Sequence, residues 1–258
     1  MRFGFVLPSG TAPEQLDHAI AAEAAGWDGI FAYESAYGVD PWALLSAMAV
    51  RTERIRLGTM LTPLPFRRPW KVASQVVTLD QLSGGRAILA VGLGATDVEI
   101  GVTGEEEDLR VRAAQLDEGL DLITGLWSGR PTFRGTHYEV DLSQRGDLAT
   151  TGVGVQQPRV PIWVVGVWNR PKSMRRVARF DGIVPQGVES PAEYGEMVAW
   201  LREQGVHERF DLIAEGEDQP PAKVQEWATA GATWWLEAAW SASDQQAIRE
   251  KIDAGPPA

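Results

Sequence analysis

The phrases AAGWDGIF at 24–31, VARFDGIV at 177–184 and TAGATWWL at 229–236 share one grammar. A helical stretch ends, commonly at glycine, and an apolar strand begins two or three residues later. RTERIRLGTML at 51–61 and LSGGRAILAVG at 82–92 repeat it. Short strand, helix, short strand, repeated along the chain, is the sequence form of βαβ units. Eight strands are expected: Phe3–Leu7, Gly29–Ala32, Ile55–Leu61, Ala87–Val91, Ile162–Val165, Gly182–Val184, Phe210–Ala214 and Thr233–Leu236.

Helices fill the intervals. Asp40 is placed to cap a helix with Pro41 at its first position and Leu44, Leu45 and Met48 on one face. Pro69 opens another, with Val72, Val76 and Leu79 in helical spacing and Gly84 as its stop. Leu109, Leu116, Leu120, Ile123 and Trp127 stripe the longest helix, and Glu105 to Asp108 complement its dipole. Ser190 to Glu193 reads as a capping box. Val224, Trp227 and Ala228, then Ile248 and Ile252, mark the last two helices. Eight βα units in 258 residues predict an α/β fold of the (βα)8 TIM barrel class, as one domain over residues 1–258. A doubly wound open sheet is the alternative, and it usually needs fewer strands. Residues 128–160 have no long apolar periodicity. They are expected to form an insertion between helix 4 and strand 5, over the barrel mouth.

Composition narrows the function. Hydrophobic residues make up 44% of the chain, enough for a sizeable core. With no cysteine, disulfides, thiolate nucleophiles and cysteine-held metals are impossible. The formal net charge of −11 argues against a nucleic-acid partner, which needs a basic face. MRFGFVLPSG at the start is too short an apolar run for a signal peptide, and no stretch reaches membrane-span length. A cytoplasmic protein without a membrane partner is the expectation. Eleven tryptophans are many. Several fall at expected strand ends, where some could line a pocket for a flat ligand, although each taken singly suits a core role.

In a (βα)8 barrel the active site lies at the carboxyl ends of the strands. Gly92-Leu93-Gly94 at the fourth strand exit is not a dinucleotide fingerprint, because Asp97 stands at the third glycine position. It suits a bare backbone wall against a ring, or a tight turn. The same strand exit carries no acid for glycosidase chemistry. Glu34, Glu215 and Glu237 lie at other exits, without a spacing rule to pair them. His18, His137 and His207 are away from strand ends, so no metal site is expected. No G-x-S-x-G elbow exists. A mouth rich in glycine, tryptophan and apolar residues suits a bound organic cofactor that carries the reaction. Its phosphate is expected on the fifth strand loop, Gly166, Val167, Trp168 and Asn169, with Arg170 and Lys172 nearby; the alternative for this segment is a basic helix start at the surface. Arg67 and Arg68 could instead reach an anionic tail.

AAGWDGIFAYE, the block from Arg51 to Ala95, LDEGLDLITGLWSG, VPIWVVG and RRVARFDGIVP together resemble the bacterial luciferase-like, flavin-dependent oxidoreductase family, across about residues 1–187. The resemblance implies a barrel that binds FMN or the deazaflavin coenzyme F-420 and acts on a small organic substrate, with oxidoreductase or monooxygenase activity. It implies a ring against a bulge at Met60 and Leu61, often a cis peptide, with Thr59 and Thr62 beside it. Gly92, Leu93 and Gly94 would flank the ring, and Pro185 and Gln186 would help to hold the phosphate. Many deazaflavin-dependent members carry Asp-His where this chain has Glu34-Ser35, and some carry an acid where it has Ala95. The chain is also shorter than most members. Glu34 is the candidate proton donor, against a role as a cap or salt-bridge partner. Glu237 is the second catalytic candidate, on the substrate side with Trp240. A homodimer is expected, partly from the resemblance and partly from apolar residues in Trp42–Leu45 and Trp70–Val77. A non-catalytic flavin-binding protein of this fold is the alternative, and a cofactor-free barrel enzyme a third.

Overall fold

The computed structural model describes residues 1–94, 103–147, 152–238, 240 and 242–257. Its strands are β1 (Arg2–Leu7), β2 (Gly29–Ala32), β3 (Arg56–Thr59), β4 (Thr62–Pro63), β5 (Ala87–Gly92), β6 (Thr132–Arg134), β7 (Glu139–Asp141), β8 (Ile162–Val167), β9 (Gly182–Gln186), β10 (Asp211–Gly216) and β11 (Trp234–Ala238). Its helices are α1 (Ala12–Ala24), α2 (Pro41–Ala49), α3 (Pro69–Ser83), α4 (Leu109–Trp127), α5 (Pro171–Val177), α6 (Pro191–Glu203), α7 (Pro221–Thr229) and α8 (Gln245–Asp253). A sheet of order β3-β2-β1-β11-β10-β9-β8-β5-β4 closes on itself through β3 and β5. Every pairing in it is parallel; Arg2 lies opposite Trp234, and Leu57 opposite Ala87. Closure excludes the open sheet and establishes the (βα)8 barrel, with β4 continuing the third barrel strand beyond a break at Met60 and Leu61.

Local chemistry sets the helix ends. The Asp40 carboxylate accepts the Ala43 N–H at 2.8 Å, and Asp108 accepts from Arg110 at 2.6 Å, each satisfying a donor the helix leaves open. Gly84 ends α3 at φ 65°, a left-handed conformation that side chains resist. The box at Ser190 is half formed. Its hydroxyl accepts from Glu193, but the Glu193 carboxylate accepts from Glu189 N instead of Ser190 N. Leu109 leaves the expected core stripe and is 58% exposed at the mouth.

Strand side chains alternate between two cores. One face packs outward on the helices, with Ile30, Leu89, Val164 and Trp235. The other fills the barrel, with Phe31, Ile88, Trp163, Ile213 and Trp234. Three large aromatics, Phe31, Trp163 and Trp234, meet at centroid distances of 5.2–6.1 Å. They fit because the strands carry glycine beside them: a Cβ on Gly29 would lie 3.0 Å from both Phe31 and Trp234, and one on Gly182 would lie 2.5 Å from Trp163. Asp211 ties this floor together. Its carboxylate accepts both indole N–H groups, from Trp163 and Trp234, at 3.0 Å each.

The insertion does not cover the mouth in its described parts. The hairpin of β6 and β7 docks on the flank of α4, where Glu118 accepts backbone N–H groups of Thr136, His137 and Tyr138. Further on, Asp80 of α3 accepts from Val155 and Gln156, and Gln156 donates to Ala87 O at the start of β5, the opposite end of the barrel. Carboxylates on the helices thus fasten the segment along the outside. Trp42, Leu44, Leu45, Val72, Val76 and Val77, invoked for a homodimer, are buried within the chain itself. Among the described residues no helix is long and apolar enough to cross a membrane.

Candidate active site

Above the aromatic floor the barrel opens into a cavity of about 660 Å³ at the carboxyl ends of the strands. Strand parity selects its walls. Met60 and Leu61 contribute from the third strand, Gly92 from β5, Val165 and Val167 from β8, Val184 and Gln186 from β9, and Glu215 from β10. Leu93, Gly94, Pro63, Phe66 and Pro185 complete an apolar surround, with Tyr33, Leu109 and Trp240 at the rim. The Met60–Leu61 peptide is cis, at the position the resemblance implies for the bulge.

Of the expected cofactor-contacting residues, Met60, Leu61, Gly92, Leu93, Gly94, Val167, Pro185 and Gln186 line the cavity. Thr59 and Thr62 are fully buried behind it. Gly166 has the opposite parity, and a Cβ there would meet Val177 and Ile183 in the outer layer. Trp168 packs on Trp200 at 6.3 Å, and Asn169 turns the chain at φ 60°. Neither lines the cavity. The fifth strand therefore presents Val165 and Val167, and α5 adds Ser173 and Arg176. Sequence reasoning missed these two; their spacing along α5 was legible, but which face met the cavity was not.

The Leu93-Gly94 turn rests on a buried cation. Arg112 of α4 donates to Leu93 O at 3.0 Å and to Gly94 O at 3.1 Å, and burial pushes its pKa down. Gly94 adopts φ 81°, and any side chain there would run into Phe66. Gly94 thus holds a turn that needs glycine, and Gly92 and Gly94 both line the cavity. Ala95 and Asp97 lie outside the described residues.

Glu34 follows β2 and sits at the edge of the cavity, 8% exposed. Its Oε1 lies 3.2 Å from Arg67 Nη1, and its Oε2 accepts from Thr62 Oγ1 at 2.9 Å. The Thr62 and Thr59 hydroxyls lie 2.9 Å apart. With the Thr62 proton given to Glu34, Thr59 has one proton to share between Thr62 and Ala90 O, 3.3 Å away. The two threonines beside the bulge thus back the carboxylate with a buried hydroxyl pair against β5. Burial pushes the Glu34 carboxyl above its ordinary range, while Arg67 and Thr62 pull it back. Such a group can hold a proton near the cavity and still be fixed in place.

Glu215 and Glu237, both expected at strand exits, part company: Glu215 lines the cavity and Glu237 does not. Glu237 shares the outward parity of Trp235; it accepts from Asp218 N at 2.8 Å and pairs with Lys251 at 3.3 Å, outside the cavity lining. Glu215 has the inward parity of Ile213 and lines the cavity. Solvent reaches it through the open mouth, yet protein surrounds it on the other sides, and this desolvation raises its pKa.

A family model described as luciferase-like monooxygenase matches residues 1–252. A putative coenzyme F420-dependent oxidoreductase of Mycobacterium tuberculosis is 33% identical over 215 residues, which cover 79% of this chain and 60% of that protein. The chain thus spans less than two thirds of that relative. An F420-dependent glucose-6-phosphate dehydrogenase of Nakamurella multipartita is 28% identical, with 98% of this chain and 77% of that protein covered. Among solved structures, an F420-dependent secondary alcohol dehydrogenase in complex with an F420-acetone adduct superposes with a TM-score of 0.78 at 18% identity, covering 98% of this chain and 96% of that one. The oxygenating constituent of 3,6-diketocamphane monooxygenase of Pseudomonas putida, in complex with FMN, gives 0.68 at 20% identity, with 84% and 67% covered. At these identities the structural likeness establishes the fold.

Proposed function

This chain belongs to the luciferase-like monooxygenase family, and on that premise we propose that it is an oxidoreductase whose barrel-mouth cavity binds a flavin or deazaflavin ring and presents it to a small organic substrate. The observation that carries the reading is the cavity wall at Gly92. A Cβ there would lie 3.1 Å from Leu61 and 3.2 Å from Val165, so a side chain would intrude on the space between the third strand and β8. Apolar walls of Met60, Leu61, Leu93 and Val165, with few charged groups, fit a flat heteroaromatic ring better than they fit a hydrolytic side-chain apparatus.

When bound, such a ring supplies the redox chemistry: hydride transfer for a deazaflavin, hydride transfer or oxygen activation for FMN. The chain binds, orients and excludes water. Leu61 and Leu93 would contact the ring, and Arg112 would keep the Leu93 turn in place. Ser173, Arg176 and Gln186 form the polar corner where a phosphate would be held. This set replaces Gly166 and Trp168, whose parity turns them away. Glu34 would hold the proton exchanged at the ring edge, with Arg67 and Thr62 fixing its orientation.

The test is a titration of the purified protein with FMN and with the deazaflavin coenzyme, followed by cofactor fluorescence. Saturable binding of one of them is expected. Unperturbed spectra for both at high protein concentration would defeat the reading. The homodimer remains part of the proposal on the strength of the resemblance, since the apolar residues of α2 and α3 are satisfied within one chain; sedimentation velocity at micromolar concentration measures it.

A further inference from the structure

Among the described residues, three charged side chains line the cavity, Glu34, Arg176 and Glu215, and one of them has no charged partner. Glu34 is paired with Arg67. Arg176 donates to both carboxylate oxygens of Asp117, at 2.6 and 2.9 Å. Glu215 has neither a hydrogen bond nor an ion pair among the described residues, and desolvation alone moves its titration. The residues outside the description, 95–102, 148–151, 239, 241 and 258, include no lysine, arginine or histidine. No cation of this chain is left to serve it from there.

Its surroundings have a definite chemistry. Glu215 projects from β10 into a chamber walled by Leu61, Val165 and Val184. At the rim, Tyr33 and Trp240 stand edge to face with ring centroids 6.4 Å apart. A carboxylate without a charged partner, with two aromatic rings at the rim of the same chamber, complements a compact cation on an apolar body. An anion placed beside Glu215, away from the Ser173, Arg176 and Gln186 corner, would meet repulsion.

We propose that the substrate of this cavity carries a cationic nitrogen, an ammonium on an apolar body, and that Glu215 is the residue that selects it, with Tyr33 and Trp240 as its aromatic contacts. The proposal rests on the reading of the cavity as the chamber shared by cofactor and substrate. The interaction is non-covalent: the carboxylate accepts N–H hydrogen bonds and balances one positive charge.

The experiment uses three probes of matched shape, 4-phenylbutylamine, 4-phenylbutan-1-ol and 4-phenylbutyrate. Each is titrated calorimetrically into the protein, with and without saturating cofactor. The amine is expected to bind on the order of tenfold or more tighter than the alcohol, and the carboxylate most weakly. Glu215→Gln is expected to abolish the preference. Glu215→Asp, which keeps the charge, is expected to retain it, and so is Glu217→Gln, which removes an exposed neighbouring charge. Lack of amine binding, equal affinity for amine and alcohol in the parent protein, or a preference that survives Glu215→Gln overturns the proposal. The parent comparison decides even if a variant fails to fold. If neither FMN nor the deazaflavin binds while the amine preference holds, the cofactor reading fails and the Glu215 site stands; cofactor binding without amine preference gives the converse.

Discussion

Removing the Asp211 carboxylate should loosen the floor on which the cavity stands. Asp211 is 8% exposed and accepts the indole N–H groups of Trp163 and Trp234, both fully buried. Arg2 adds a contact at 3.3 Å, but its side chain is 48% exposed, so that pair contributes little. Asp211→Ala leaves two buried donors without acceptors, at roughly 1–3 kcal/mol each, or roughly 2–6 kcal/mol in total. Asp211→Asn keeps one carbonyl oxygen and turns an amide N–H toward the other indole, so about half of that loss is expected. Burial raises the Asp211 pKa even though Arg2 and the two indoles oppose it. A carboxyl raised in the folded state stabilises most below its unfolded pKa, and that contribution is lost as pH rises through the folded value. The gap between parent and Asp211→Asn should therefore be wider near pH 4 than at pH 7. Urea unfolding followed by circular dichroism at both pH values measures these differences. Asp211→Ala within about 0.5 kcal/mol of the parent, or costing less than Asp211→Asn, would refute the assigned role of the carboxylate.

Glu34→Gln should leave cofactor affinity within a few-fold and lower turnover by about a hundredfold or more. Because burial raises Glu34, activity that needs its proton should fall as pH rises through that pKa, and the variant should lose this limb; equal turnover in steady-state kinetics would make Glu34 structural. Gly92→Val should fold, since its new contacts are with the ends of the Leu61 and Val165 side chains, and should weaken cofactor binding about tenfold or more in the fluorescence titration. Burial alone would raise Glu118, but the N–H groups of His137, Thr136 and Tyr138 outweigh it and hold the carboxyl below its ordinary range. Docking of the β6–β7 hairpin should thus be fully supported above the unfolded pKa and weaken as pH falls through the folded one, with hydrogen-exchange protection of those three amides as the readout; Glu118→Gln should show low protection throughout.

The barrel itself was legible because its punctuation is local. Glycine or a tight turn before each strand, proline at Pro41, Pro69, Pro171 and Pro191, and caps at Asp40 and Asp108 all act within a few residues. The walls contributed by Met60, Leu61 and the Gly92 turn were legible through the resemblance. Parity was not. Parallel barrel strands are buried on both faces, so Asp211 to Gly216 and Trp234 to Ala238 show no polar side to mark the outside, and Glu215 and Glu237 read alike. The path of the described parts of the insertion was not legible, because Asp80 and Glu118, far away along the chain, fasten them to the flank. The Glu34–Arg67 pair was hidden for the same reason, since it joins the exits of two successive barrel strands.

The most direct test of the central claim is a crystal structure of the protein with its cofactor, FMN or the deazaflavin, whichever the titration selects. The ring should lie in the barrel mouth against Met60, Leu61, Leu93 and Gly92, with its phosphate toward Ser173, Arg176 and Gln186. Density for the ring outside the barrel, or a saturated cofactor bound on the outer helices while Met60, Leu61 and Gly92 touch only solvent, would contradict the account.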